Sequence, residues 1–426
     1  MTTDLARGLD DLRARAAAEL DAADGFAEPW MRDLFVRVPR HAFVPERVWE
    51  WSVEAGSYQP LDRADDPDGW ARRVHDMTRP VVTQVDDGRP GPAGGVLSTS
   101  SISAPDAVFA MLAALDVRPG QRVLEIGTGT GYNAALLCER TGEGTGEAPG
   151  AGTGTALGTG KGTGKSTGEA PGMGTGEWNV TTVEIDAEVA RAAAEALRTA
   201  GYHPTLVIGD GEDGHRRKAP YDRIISTAAL SRVPGAWITQ TRPGGLIVAP
   251  WRTTLQPRGL AVLRVTAEGN RAEGHFGHPM AFMDLRGQRR AGRSPLHALY
   301  TPDAWETARR GTADLEPDWL TDDFHARFAV GLMLPGMYAE RQDTDAGPAW
   351  WLSTATSWAH LAGRSVRQWG PRDLVADLEE AYRRWSKAGE PELYDYGLTV
   401  TADGGQYPWL HDPEHPVWQP DTDGPP

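Results

Sequence analysis

Three acidic residues close strand-like runs in this sequence: Glu125 in QRVLEIG, Glu184 in NVTTVEID and Asp210 in LVIGDG. Directly after the first lies a glycine series, Gly127, Gly129 and Gly131, within LEIGTGTGYNAALL (Leu124 to Leu137). A strand that ends in such a turn and opens a helix brings backbone atoms close to a ligand at the C-terminal edge of a sheet. Glu184 is then placed to accept from both hydroxyls of a ribose, and Asp210 from an adenine amino group. Acidic strand tips with no basic residue in the glycine loop suit a nucleoside ligand without phosphates, and S-adenosylmethionine meets that description. The same spacing also serves dinucleotides, and a purely structural role for the glycines is a further alternative.

Other chemistry-bearing residues point less far. His275 and His278 in GHFGHPM have a metal-compatible spacing, but no cysteine accompanies them, so they read as solvated or core residues and no metal is expected. Cys138, the single cysteine, falls in the helix after the glycine loop and reads as buried rather than nucleophilic. The string GTGKGTGKST imitates a phosphate-binding loop, yet Thr159 stands where that pattern needs glycine.

The elements that must hold these residues follow from the alternation of apolar runs. QRVLEIG, NVTTVEID, His203–Asp210, YDRIISTAAL and GGLIVAPW read as strands, with helices opening near Tyr132, over AEVARAAAEALRTAG with Gly201 as its stop, and around Pro234–Thr241. Units of this kind imply an α/β fold with a doubly wound, mostly parallel sheet. Thr141 to Gly176, with 14 Gly and 8 Thr in 36 residues, has little to bury and reads as a flexible insert. The helix before it should deliver it to the edge opposite the acidic tips, away from the site. Beyond Trp251 the character changes, and 9 of the 16 Trp lie between Trp305 and Trp418, with LVADLEEAYRRW (Leu374 to Trp385) as an amphipathic helix. The expected division is residues 1–250 as a ligand-binding domain and 251–426 as an accessory α+β domain, whose tryptophans are more readily core than peptide-binding surface.

A chain of 426 residues can bury a large core. Its formal charge of −16 disfavours binding to nucleic acid. No apolar run reaches signal-peptide or membrane-span length, and one cysteine excludes an internal disulfide, so a soluble cytoplasmic protein is expected.

From about Val38 to Trp251 the sequence resembles the protein-L-isoaspartate O-methyltransferase family, through VPRHAFVP (Val38 to Pro45), SISAP (Ser101 to Pro105), LEIGTGTGYNAALL, VEID, GDG, YDRIISTAA and RPGG in the family's order. The resemblance implies a class I S-adenosylmethionine-dependent fold and product S-adenosylhomocysteine. It implies that Glu125, Gly127, Gly129, Glu184 and Asp210 hold the methyl donor. Ser101, Ile126, Thr128, Gly131, Tyr132, Asn133, Ile185, Gly211 and Thr227 complete the expected donor site. It further implies that the Ser103 hydroxyl lies beside the carboxylate that receives the methyl, with Ser100, Ser101 and Ile102 on the same acceptor side. A helix N-cap for APDAVFAMLAAL is the structural role Ser103 would otherwise fill.

Two features depart from the family. QVDDGRPGPAGGVLSTSS, leading into Ser103, is rich in Gly and Pro, and Asp106 follows SISAP where relatives often have His. Well over a hundred residues also follow the family region. That longer architecture resembles actinobacterial members associated with ribosomally made peptides: lanthipeptides, lasso peptides and graspetides. It implies esterification of an Asp side chain in a modified precursor peptide, followed by aspartimide closure; the alternative is isoaspartate repair in proteins. Truncation near Arg252 is expected to impair peptide recognition more than donor binding.

Overall fold

The computed structural model describes residues 2–142, 179–256, 258–289, 294–345 and 347–417. Helices α1 (Thr2–Ala22) and α2 (Pro29–Arg37) precede β1 (Arg47–Ser52), β2 (Ser57–Asp62), α3 (Pro67–Val74), β3 (Val81–Val85) and β4 (Ser98–Ile102). These strands form a four-stranded antiparallel sheet in the order β2-β1-β3-β4, which leaves β4 at an edge. After α4 (Pro105–Leu115) come the alternating units β5 (Val123–Ile126), α5 (Tyr132–Thr141), β6 (Val180–Glu184), α6 (Ala187–Thr199), β7 (Thr205–Ile208), β8 (Tyr221–Ser226), α7 (Gly235–Gln240) and β9 (Thr241–Pro250). Strands β9-β8-β5-β6-β7 are parallel neighbours, so the order reverses beside β5, the topological switch at which such sheets bind ligands.

The period of two along each strand sorts the core into two layers. Val123, Ile225 and Val248 face a cluster built with Phe35, Leu112 and Leu136 of α2, α4 and α5. Leu124, Ile224 and Ile247 face the other side, with Trp237 of α7. Helix α6 begins where Asp186 accepts from the Glu188 and Val189 amides and stops at Gly201, whose φ of +84° needs a residue without Cβ.

The expected break at residues 250 and 251 is not where the structure divides. Strands β10 (Leu260–Val265) and β11 (Arg271–His275) continue the same sheet antiparallel to β9, with Leu260 opposite Pro250 and Ala261 opposite Ala249. After α8 (Leu296–Leu299), α9 (Pro302–Thr307), β12 (Arg309–Thr312), α10 (Trp319–Asp322), α11 (Phe324–Met333), β13 (Tyr338–Thr344), β14 (Gly347–Ser353), β15 (Trp358–Ala362), β16 (Ser365–Trp369) and α12 (Leu374–Lys387), the chain returns to it as β17 (Tyr396–Thr401) and β18 (Gln406–Leu410). The complete sheet has nine strands in the order β18-β17-β11-β10-β9-β8-β5-β6-β7 and is mixed rather than mostly parallel. A shift in composition at Trp251 misses this because an apolar run such as LAVLRV still needs a ladder partner and a face to bury. Truncation near Arg252 therefore removes four strands of the main sheet rather than an appended unit.

What does stand apart is the antiparallel sheet β12-β16-β15-β14-β13, packed on α12 through Leu352, Leu361, Leu374 and Leu378. Helix α11 lies under the nine-stranded sheet, with Phe328 against Phe276. Trp350, Trp358, Trp385 and Trp409 are buried, whereas Trp305 and Trp351 are half-buried around Trp358. His275 packs edge-on against Trp409, and Cys138 is buried. No helix among the described residues is long and apolar enough to cross a membrane. Of the Gly/Thr-rich stretch only Thr141 and Gly142 are described; the rest, with GTGKGTGKST, lies outside the described residues. Its flanks, the end of α5 and Asn179 before β6, stand at the sheet edge opposite the strand tips that bear Ile126 and Glu184.

Candidate active site

The carboxyl ends of β5, β6 and β8, the loop after β7, the edge strand β4 and the segment 279–289 enclose a cavity of about 680 Å³. That volume is within the usual range for a small-molecule site, roughly 300–1,000 Å³. Its floor is the loop from β5 to α5. Gly127 has φ +90°, and a Cβ there would stand 2.8 Å from Thr227 Oγ1. The Thr227 amide and hydroxyl both donate to the Ile126 carbonyl, which fixes the end of β8 against the loop. Gly129 has φ +53° and passes under the Ser101 carbonyl.

Glu184 ends β6 beside this loop, buried, with Oε2 accepting from the Gly129 amide and Oε1 from the Asp186 amide, both at 3.0 Å. Burial raises its pKa, and the two amide bonds oppose that rise. A carboxylate has about four acceptor positions, so each oxygen keeps capacity for a hydroxyl. Asp210 is exposed, its Oδ1 accepting from the Glu212 amide, and Gly211 beside it is pressed against Ile126 so closely that a Cβ would overlap Cγ2 at 2.4 Å. Together with Ile126, Thr128, Tyr132, Asn133 and Ile185 these residues line the cavity. Paired hydroxyl acceptors and a backbone cradle that tolerates no Cβ fit an adenosyl group.

Two residues expected at the donor site lie outside the cavity. Gly131 caps α5 and lets it approach α6, where a Cβ would meet Leu197 at 3.0 Å. Glu125 alternates with Leu124 and Ile126 and so projects to the α5 face. There it is fully buried, accepting from Asn133 Nδ2 at 2.7 Å and from Thr182 Oγ1 at 2.6 Å. It braces the first turn of α5 instead of facing a ligand. Burial, opposed by these two bonds, raises its pKa to about 7.

This carboxyl makes the stability of the ligand-free protein depend on pH in an uncommon direction. Between the ordinary value near 4.5 and about 7 it is ionised in the unfolded chain but protonated in the fold, so folding takes up a proton. Stability is then lost as pH rises through this window, by at most on the order of 3 kcal/mol. Glu125→Gln should abolish this component. Urea unfolding at pH 5 and pH 8 would show it, and an identical loss in both proteins would refute the assignment.

The side of the cavity where the acceptor is expected is formed by β4 and Ser103 just beyond it. Ser98, Thr99, Ser100, Ser101 and Ile102 line the cavity from a strand whose free edge meets the glycine loop, and Ser103 lines it from the residue after the strand. A bulge in β3 between Val82 and Gln84 shifts the register opposite Ser101 and Ser100, a device that re-aims side chains beside sites. Ser103 is not the cap of α4: the helix starts at Pro105, with Ala104 in the cap position and no side-chain hydrogen bond there. Asp106 also lines the cavity, and burial is the main cause of its raised pKa.

Arg40, given no role by the sequence reading although it sits in VPRHAFVP, holds this strand end. It is 2 % exposed and donates through Nη2 to the Ser103 carbonyl at 2.9 Å and the Ile102 carbonyl at 3.3 Å, and through Nη1 to the Val74 carbonyl. Burial lowers its pKa to about 10, which leaves it charged at neutral pH. An arginine between apolar Val38 and Phe43 is the sequence signal for a buried, multiply bonded cation. Residues 279–289 were also missed: Met283 and Leu285 bond to Ala229, three residues beyond β8, which brings Arg286 and Arg289 to the cavity mouth.

Residues 93–146 and 152–274 match the sequence profile of the protein-L-isoaspartate(D-aspartate) O-methyltransferase family. A protein-L-isoaspartate O-methyltransferase of Ignicoccus hospitalis is 36% identical over 151 residues, 35% of this chain and 56% of the relative. One from Hyperthermus butylicus is 38% identical over 153 residues, 35% of this chain and 52% of the relative, so the chain spans only about half of either. A solved protein-L-isoaspartate O-methyltransferase covers 94% of this chain and 100% of its own, with a TM-score of 0.49 and 17% identity. A further relative so named, from Methylorubrum populi, is 30% identical over 285 residues, 66% of this chain and 99% of the relative. On that near-complete match and the shared profile, the chain belongs to the protein-L-isoaspartate(D-aspartate) O-methyltransferase family and has its class I S-adenosylmethionine-dependent methyltransferase fold.

Proposed function

We propose that this protein methylates a carboxylate of an isoaspartyl or aspartyl residue in a peptide or protein, with S-adenosylmethionine as donor and S-adenosylhomocysteine as product. The observation that carries the reading is that one cavity holds both the serine edge of β4 and the Glu184 and Gly127–Gly129 cradle. S-adenosylmethionine supplies a methyl group made electrophilic by its sulfonium.

An acceptor carboxylate is already anionic at neutral pH and needs no general base. The residues have only to bind, orient and exclude water, and orientation alone can be worth roughly 7–11 kcal/mol. Glu184 and Asp210 hold the nucleoside end. The Ser103 hydroxyl donates to one carboxylate oxygen and leaves the other to react. Arg40 fixes the backbone that presents this hydroxyl without touching the acceptor itself.

Transfer of labelled methyl from the donor to an isoaspartyl peptide tests the reading, and no transfer to isoaspartyl or aspartyl peptides would reject it. Ser103→Ala removes one orienting hydrogen bond, so kcat should fall about 10-fold while donor affinity stays unchanged. Unaltered kcat would remove Ser103 from the acceptor site.

A second, narrower reading is esterification of an aspartyl side chain in a ribosomally synthesised, modified precursor peptide. The ester is then attacked by the following backbone amide, forming the ring N–C bond and releasing methanol. One observation favours it: the sheet β12–β16, a part of the chain beyond the residues matching the family profile. Faster turnover of a constrained aspartyl peptide than of an isoaspartyl peptide supports it; turnover of the isoaspartyl peptide alone rejects it.

A further inference from the structure

The cavity mouth carries two arginines, of which Arg286 also lies near the Glu184 cradle as a positive charge. Arg286 and Arg289 both line it, and both bind the same carboxylate, that of Asp87. Arg289 Nη1 reaches Asp87 Oδ2 at 2.8 Å and Oδ1 at 3.0 Å, and Arg286 Nη2 reaches Oδ1 at 3.1 Å. Arg286 also lies 3.3 Å from Asp186 Oδ2, which takes a further bond from Gln84 Nε2. An aspartate side chain thus sits between two guanidinium groups at the opening of the cavity proposed to receive aspartate-type carboxylates.

Three features mark this occupant as exchangeable. Asp87 is 44 % exposed, against 28 % for Arg286 and 22 % for Arg289, so the carboxylate reaches the arginines from the solvent side. Its backbone and that of Asp86 are left-handed, with φ of +52° and +49°, a conformation that residues with a Cβ occupy reluctantly. Asp87 and both arginines are partly exposed, so water screens their attraction and another carboxylate can compete for the arginines. Arg286 would keep its Asp186 partner after the exchange, and Arg289 would be the group released to a newcomer.

We propose that Arg289, supported by Arg286, is a binding site for a second carboxylate of the acceptor, and that Asp87 fills it when no acceptor is present. The acceptor is therefore an acidic segment, with a Glu or Asp next to the residue that is methylated. This deepens the function proposed above and rests on it for the acceptor's identity. A local cation pair is what an acidic peptide requires to approach a chain of formal charge −16.

The test is binding, read by fluorescence anisotropy with S-adenosylhomocysteine present and with two labelled peptides. Both carry one isoaspartyl residue, flanked by Glu in one and Gln in the other. The full-length protein should prefer the Glu peptide by about 3- to 10-fold at low salt, and the preference should shrink in 0.5 M salt, chosen to shorten the screening length to about 4 Å. Arg289→Ala should erase the preference, whereas Asp87→Ala should tighten the Glu peptide about 3-fold or more and leave the Gln peptide unchanged. Opposite signs for the two variants establish the site. A mere clasp between the two segments predicts weakening of both peptides by both variants, and that result overturns the proposal, as does equal binding of the two peptides to the unaltered protein. Asp87→Ala lies on an exposed loop and carries the test alone if Arg289→Ala does not fold. Preference for the Glu peptide without any methyl transfer would reject the proposed reaction while leaving the carboxylate site standing.

Discussion

Replacing Glu184 with alanine should weaken donor binding about 100-fold or more. Each bond between a buried carboxylate and a ribose hydroxyl is charge-assisted and worth about 1.5–3 kcal/mol, and two are lost together. The same substitution frees the Gly129 and Asp186 amides that Glu184 now holds, so the loop is loosened as well as stripped of its acceptor. Glu184→Gln keeps the shape and one acceptor oxygen and should cost nearer 10-fold. Calorimetric titration with S-adenosylhomocysteine measures both. A dissociation constant for the alanine variant within threefold of the parent's would place the ribose elsewhere and remove the basis of the donor site.

The second large effect is expected at Arg40. Methionine at this position fills much of the volume but leaves the carbonyls of Val74, Ile102 and Ser103 without their donor in a buried setting. Unpartnered buried polar groups cost about 1–3 kcal/mol each, so a loss of roughly 3–5 kcal/mol in stability is expected, less whatever relaxation recovers. Turnover should fall further than for Ser103→Ala, because the whole end of β4 loses its anchor. Arg40→Lys distinguishes positioning from bulk stability: it restores the charge and donors on a single nitrogen without the planar fork, and should recover much of the unfolding free energy but little of kcat. Equal recovery of both would make Arg40 a core residue without a specific role at the site.

The sequence made some of this legible because certain features tolerate few alternatives. The run VLEIG followed by glycines at alternate positions can only be a buried strand turning sharply into a helix, and the structure places β5, the loop and α5 there. Glu184 was readable for the same reason, as a carboxylate closing the next apolar strand. Glu125 was not. Its position at a strand tip suggested a ligand contact, but which face a side chain takes depends on strand parity, and parity turns it toward Asn133. Ser103 was half readable: the motif carried the expectation that it reaches the site, and it lines the cavity, whereas the start of α4 at Pro105 depends on backbone angles that SISAP does not announce. Arg286, Arg289 and Asp87 were invisible as a group, since 199 positions separate Asp87 from Arg286 and only the fold joins them. The nine-stranded sheet was hidden likewise, because β17 and β18 are recruited across the whole of the β12–β16 region.

That recruitment has a consequence for biosynthesis. Chains emerge from the ribosome in sequence order, and domains tend to fold as their last segment clears the exit. Here β11 pairs with β10 early, but its other edge finds Thr399 and Thr401 only after more than a hundred intervening residues have been translated. Until then the nascent polypeptide displays an unpaired ladder of the kind that invites aggregation. Production of this protein should therefore be sensitive to the speed of elongation through α12 and to chaperones that shield open strands.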